Sequence, residues 1–151
     1  MRVAGLDLGE RRIGIAISDP TQMLARPLES LRIGGLTVGG MDELVEVLVA
    51  LAREDDGLEL VVVGLPRRLD GSPNEMTVKV EMFAHVLERR IGLPVVFQDE
   101  RLSSREAESR LALRERDWRA RKAQLDAASA AVILQDYLDE HHGSPVIDDV
   151  H

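Results

Sequence analysis

The chain has 151 residues, 44% apolar and 30% charged, with no cysteine and a net charge of −8. That length fits one domain able to bury its own core, and the missing cysteines exclude a disulfide framework, a thiolate zinc site and a cysteine nucleophile. The acidic balance argues against a protein that coats nucleic acid through a bulk positive field.

The charge is uneven. Residues 136–151 hold five acidic and no basic side chains, so the preceding 135 residues carry only −3. The basic residues are 17 Arg and two Lys. Arginine binds phosphate bidentately, although Arg-rich coding would give the same bias. No apolar run approaches the ~20 residues of a spanning helix. The first residues lack an apolar signal core, so a cytoplasmic protein with no membrane partner is expected.

Residues 3–8 and 13–18 are short apolar runs separated by the charged turn Glu10-Arg11-Arg12, the pattern of a β-hairpin. Residues 24–33 predict a third strand, which Pro27 confines to a sheet edge, and residues 34–40 a glycine-rich loop. Met41, Leu44, Val45, Leu48, Leu51 and Ala52 recur at helical spacing, with Gly57 as the stop. Residues 58–64 contain Val61-Val62-Val63, a buried strand, and the loop 65–71 holds Arg67, Arg68 and Asp70. Ser72-Pro73-Asn74-Glu75 reads as a helix start, with Ser72 the cap, Pro73 first in the helix and Glu75 reaching back. Met76, Val80, Phe83, Ala84, Leu87 and Ile91 form that helix's apolar face, closed by Gly92. Residues 94–98 predict another buried strand. Ser103-Ser104-Arg105-Glu106 predicts a capping box for a helix to about Arg114. Leu125, Ala128, Val132 and Leu138 predict a last helix. Residues 1–142 are expected to form the domain and residues 143–151 a mobile acidic tail. The order β-β-β-α-β-α-β-α-α predicts an α/β fold, a mixed sheet flanked by helices, with ligand groups at the strands' carboxyl ends.

Carboxylates stand where a core should be. Asp7 lies between Leu6 and Leu8 in the first strand. It either bonds the Gly9-Glu10 turn or needs a partner, a metal or a raised pKa, because unpaired burial is costly. Gly5, Gly9 and Gly14 let a backbone or ligand come close. Asp99 and Glu100 follow Val95-Val96-Phe97 directly, either as ligand groups at a strand end or as an acidic pair favoured by the next helix's dipole. Asp126 opens the last helix before Ala127-Ala128-Ser129-Ala130-Ala131, a run small enough for the helix to press against the sheet. Its plain alternative is a first-turn Asp complementing the helix dipole. Together these groups describe an oxygen-only site. Like charges within a few Å need a cation, and such donors suit Mg²⁺ or Mn²⁺, the ions of phosphoryl chemistry. His85, His141, His142 and His151 form no ligand set by spacing.

Gly5-Leu6-Asp7-Leu8-Gly9 followed by Arg11-Arg12-Ile13-Gly14-Ile15-Ala16 resembles the opening of the YqgF (RuvX) family. These RNase H-like nucleases are described as Holliday junction resolvases and as processing nucleases of the small-subunit ribosomal RNA precursor. Three further blocks resemble the family's motifs in order. They are Val63-Gly64-Leu65-Pro66 with Asp70-Gly71-Ser72, then Asp99-Glu100-Arg101-Leu102-Ser103-Ser104 with Glu106-Ala107. The last is Asp126 with Ala127-Ala128-Ser129-Ala130-Ala131, Ile133-Leu134 and Tyr137-Leu138. The resemblance spans nearly the whole chain. It implies an RNase H-like, five-stranded mixed sheet whose second strand is antiparallel. It implies Asp7, Glu100 and Asp126 as catalytic ligands of Mg²⁺ or Mn²⁺, with Asp99 as a secondary ligand. Ser104 stands where threonine is common in the family, which removes no ligand.

Basic residues adjoin every carboxylate block: Arg11 and Arg12, Arg67 and Arg68, Arg101 and Arg105. Arg116, Arg119, Arg121 and Lys122 surround Trp118, the single tryptophan. Arginine forks hold phosphates without reading sequence, and an aromatic stacks on an unpaired base for ~1–3 kcal/mol. Solvated surface arginines and a Trp that anchors its own loop are the plain alternatives. The function expected is a divalent-metal-dependent endonuclease on structured nucleic acid. Its first substrate would be the pre-16S rRNA 5′ end, its second a four-way DNA junction, which calls for a homodimer. An actin-like ATPase and a non-catalytic nucleic-acid-binding factor are further alternatives.

Overall fold

The computed structural model describes residues 1–100 and 118–142. Arg2–Leu8 (β1) and Arg12–Ser18 (β2) pair antiparallel, and Gly9 N donates to Arg12 O at 2.9 Å to close the turn between them. Ala25–Arg32 (β3) pairs antiparallel with β2 and ends the sheet on that side, where Pro27 lacks no needed donor. Ile15 pairs with Glu29 but Ala16 with Pro27, so Leu28 is the extra residue of a bulge. Leu58–Pro66 (β4) and Val95–Glu100 (β5) add parallel strands on the other side of β1. The order is β3-β2-β1-β4-β5. Strand β2 alone is reversed, as the family resemblance implies.

Asp42–Arg53 (α1), entered through a single 3-10 turn at Gly39–Met41, and Glu75–Ile91 (α2) cover one face of the sheet. Their Leu44, Leu48, Phe83 and Leu87 join Leu6, Ile13, Ile15, Ile17, Val61 and Val63 in the main core. Trp118–His142 (α3) covers the other face, laying Ala130, Ile133, Leu134 and Leu138 over Val3, Ala16 and Val62. Among the described residues no helix is long and apolar enough to cross a membrane.

Four local expectations are corrected. The cap of α2 is Asn74, not Ser72: Asn74 Oδ1 accepts from Thr77 N at 2.9 Å, and Thr77 Oγ1 accepts from Asn74 N at 2.9 Å. The reason is tertiary, since the Thr77 hydroxyl also bonds Pro66 O at the end of β4, while the Ser72 hydroxyl donates to Asp70 Oδ1 at 2.6 Å. Strand β4 runs two residues past Gly64, and β5 includes Asp99 and Glu100 because Leu65 and Pro66 pair with them. Residues 95–97 are half-buried rather than buried, since β5 is a sheet edge. Helix α3 begins at Trp118 rather than at Asp126, which therefore lies beyond the second turn. A dipole role confined to the first turn therefore does not apply to Asp126. The helix expected from Ser103 and the acidic tail from residue 143 lie outside the described residues.

Candidate active site

Strands β1, β3, β4 and β5 run in one direction, so their carboxyl ends and the start of β2 share one sheet edge. Asp7 is the last residue but one of β1, and Glu100 ends β5. Side chains alternate across a strand. Val3 packs in the α3 core, which puts Gly5 and Asp7 on that face, while Leu6 and Leu8 enter the other core. On β5, Val96 belongs to the α3 core and Gln98 Nε2 donates to Glu140 of α3 at 3.1 Å, so Glu100 follows on the same face. Asp99 turns the other way, and its Oδ1 lies 3.2 Å from Arg67 Nε. The adjacent acidic pair is thus split between the two faces.

Two glycines flank Asp7, one admitting the Asp126 backbone and the other the Glu100 carboxyl. Gly14 of β2 is its direct cross-strand partner. A Cβ there would stand 2.0 Å from the Asp126 carbonyl oxygen and 2.4 Å from its carbon, so the α3 backbone rests directly on the sheet beside Asp7. On β4, Val63 pairs with Leu6, which puts Gly64 abreast of Asp7. A Cβ at Gly64 would stand 2.6 Å from Ile133 Cδ1 and 2.9 Å from Glu100 Oε2, so the Ile133 side chain and the Glu100 carboxyl share the space over the strand next to Asp7. Asp7, Glu100 and Asp126 are all half-buried, and Asp126 Oδ2 is out of solvent. Gly64 is the site residue that sequence reasoning passed over. A glycine inside a valine-rich parallel strand was the signal, since it weakens the strand unless something must approach there.

The three carboxylates share a face and an edge without converging. Among the described residues no three carboxylate or imidazole groups stand close enough together to hold one ion. Carboxylates on one face repel each other until a cation screens them.

The basic residues divide as well. Arg11 and Arg12 line a groove of about 440 Å³ together with Gly9, Met76 and Asp126. Arg67 instead serves Asp99 and the Gly71 carbonyl, the latter at 3.4 Å, and Arg68 is exposed in the 68–72 turn. Arg119, Arg121 and Lys122 follow Trp118 in the first two turns of α3. Arg101, Arg105 and Arg116 lie outside the described residues. Beside the carboxylates, Glu10 is held below its ordinary pKa by its hydrogen bond to Lys79, whose ammonium is raised in turn.

Residues 1–140 match the family described as "RuvX: Holliday junction resolvase". A Burkholderia ambifaria protein named "Putative pre-16S rRNA nuclease" is 45% identical over 143 residues, covering 91% of this chain and 92% of its own length. A Chlorobaculum tepidum protein of the same name is 42% identical over 143 residues, covering 93% and 94%. Thermus thermophilus RuvC, solved in complex with a Holliday junction substrate, superposes with a TM-score of 0.50 at 19% identity, covering 95% of this chain and 97% of that one. That likeness identifies the fold as RNase H-like. Family and relatives agree on a nuclease, a hydrolase of phosphodiester bonds. With the family match and the relatives both running nearly end to end, this chain belongs to the RuvX family.

Proposed function

We propose that the chain is a divalent-metal-dependent endonuclease that processes the 5′ end of pre-16S rRNA in the cytoplasm, with Asp7, Glu100 and Asp126 as ligands of Mg²⁺ or Mn²⁺. The observation that carries this reading is the pair of glycines beside Asp7, which lets the Asp126 backbone and the Glu100 carboxyl close in from either side. The donors are all oxygen, which fits a hard cation, and they lie where parallel strands end. A bound divalent ion would supply an acidified water and relief of charge on the leaving oxygen. Strand pairing through β2 and β4 would hold Asp7 fixed, and α3 would carry Asp126 to it. Arg11 and Arg12, on the groove shared with Asp126, would grip phosphate oxygens and align the scissile bond for in-line attack.

The names of the Burkholderia and Chlorobaculum relatives support the ribosomal RNA precursor as substrate. The family's description favours a second reading, a four-way DNA junction. A junction needs two sites related by a two-fold axis, hence a homodimer.

The test is Asp7→Asn, a near-isosteric change, on protein shown to be folded by circular dichroism. Cleavage of a precursor leader RNA should fall by about a thousandfold, equivalent to ~4 kcal/mol of transition-state stabilisation. Full cleavage by the variant in Mn²⁺ would overturn the ligand assignment. A four-way junction run beside the leader RNA decides the substrate.

A further inference from the structure

The groove at Asp126 does not end at Arg11 and Arg12. Those two residues and Glu10 also line a larger groove of about 940 Å³, walled by Arg32 and Ile33 at the end of β3, by the 34–37 loop, and by Lys79 of α2. Four of its side chains are cationic and one is acidic.

Arg12 and Arg32 are direct partners across the β2–β3 ladder. They therefore leave the same face of the sheet one strand apart, on the face that carries Gly14 and Asp7. Like charges placed directly opposite destabilise a strand pair. Ile33 N donates to Arg11 O at 2.8 Å, which ties the end of β3 to the β1–β2 turn and keeps the arginines together. An anion between Arg12 and Arg32 would turn that repulsion into a clamp. Across the groove, Lys79 Nζ lies 2.5 Å from Glu10 Oε1, and both side chains are exposed enough to exchange partners. The wall at Gly34 is open, with no atom within 4 Å of where a Cβ would stand.

We propose that this groove is a second phosphate subsite, in which Arg12 and Arg32 clamp the backbone of the polynucleotide strand leaving the carboxylate cleft and Lys79 exchanges Glu10 for a further phosphate. The inference rests on the nuclease reading above, because continuity of the two grooves through Glu10, Arg11 and Arg12 is what names the occupant. Contacts of this kind position a strand without selecting its sequence.

The experiment is fluorescence anisotropy of the full chain with a fluorescein-labelled RNA dodecamer, in EDTA so that no cleavage intervenes. Arg32→Ala should weaken binding about tenfold and lower the salt slope by about 0.7, the share of one single-strand phosphate contact. Its melting temperature should hold or rise, since the substitution removes a like-charge pair, whereas a purely structural Arg32 would lower it. Glu10→Gln should tighten binding by freeing Lys79. Arg53→Ala removes the same charge from an exposed position of α1 outside the groove and should bind as the parent does. Equal affinities for Arg32→Ala and Arg53→Ala would overturn the subsite. Because binding is read without metal, a failed groove leaves the Asp7→Asn cleavage result standing, and an active Asp7→Asn leaves the groove result standing.

Discussion

Leu44, Leu48, Phe83 and Leu87 pack α1 and α2 onto one face of the sheet, against Leu6, Ile13, Ile15 and Ile17, all essentially closed to solvent. On the other face α3 meets the sheet through Ala130 and Leu134 laid on Gly5 and through the Asp126 backbone laid on Gly14. The first face removes large apolar side chains from water, worth ~0.8 kcal/mol per buried methylene. The second gives up side-chain volume so that backbones can touch. The carboxylates lie on this second face because only there does a helix come close enough to set Asp126 beside Asp7. One face holds the fold and the other holds the geometry of the site.

The largest expected effect tests which face carries the chemistry. Glu100→Gln alters the acid on the α3 face, and cleavage should fall by about a thousandfold. Asp99→Asn, one residue away on the opposite face, weakens the pair with Arg67 and should leave cleavage within about threefold, as for a half-exposed ion pair. Equal losses in the two variants, measured as single-turnover rates, would break the comparison.

Next is a pair of packing changes. Leu48→Ala empties a fully buried position between α1 and the sheet and should cost ~2–5 kcal/mol in urea unfolding. The activity of the molecules that remain folded should be unchanged. Gly14→Ala adds one methyl where the Asp126 carbonyl already stands, so α3 must shift. Its stability cost should be smaller, ~1–3 kcal/mol, but cleavage should drop about a hundredfold, because a displacement near 1 Å misaligns the proposed ligands. A Gly14→Ala enzyme with parental kcat would show that the close approach serves packing alone.

How far the sequence showed this depends on what each feature rests on. The strands, α1 and α2 were legible because apolar spacing is local, and Pro27 marked the sheet edge correctly. The α2 cap was missed because Thr77 is fixed by Pro66, a partner eleven positions away. The start of α3 was missed because Arg119 to Lys122 show no apolar period. Asp7, Glu100 and Asp126 were readable as motif residues, and the resemblance ranks Glu100 above Asp99, but strand position alone does not say which of the two faces α3. Val96 and Phe97 enter opposite cores and both are apolar, so β5 has no polar alternation to reveal its faces. The glycine at position 64 signals a close approach, but what approaches depends on the β1–β4 and β4–β5 registers, which only pairing reveals.

The smallest expected effect separates the faces by pH. The Asp19 carboxylate closes the β2–β3 turn, accepting from Met23 N and Leu24 N at 2.9 Å each and from the Thr21 amide and hydroxyl. Those bonds, from Leu24 and then Thr21, hold its carboxyl well below the ordinary range. The turn is also where α3 is fastened: Gln135 Oε1 accepts from Ala25 N at 2.9 Å and Gln135 Nε2 donates to Met23 O at 3.0 Å. A depressed folded-state pKa stabilises above the unfolded value, about 4, and that contribution is lost as pH falls toward the folded value. The advantage of the parent over Asp19→Asn in urea unfolding should therefore be full at neutral pH and shrink below about pH 4. Hydrogen exchange, corrected for intrinsic rates, should show the Ala25 amide loosening in acid before that of Leu48 in the opposite core. A parent-to-variant difference that stays flat down to about pH 3 would mean that the turn does not fasten the α3 face through its carboxylate.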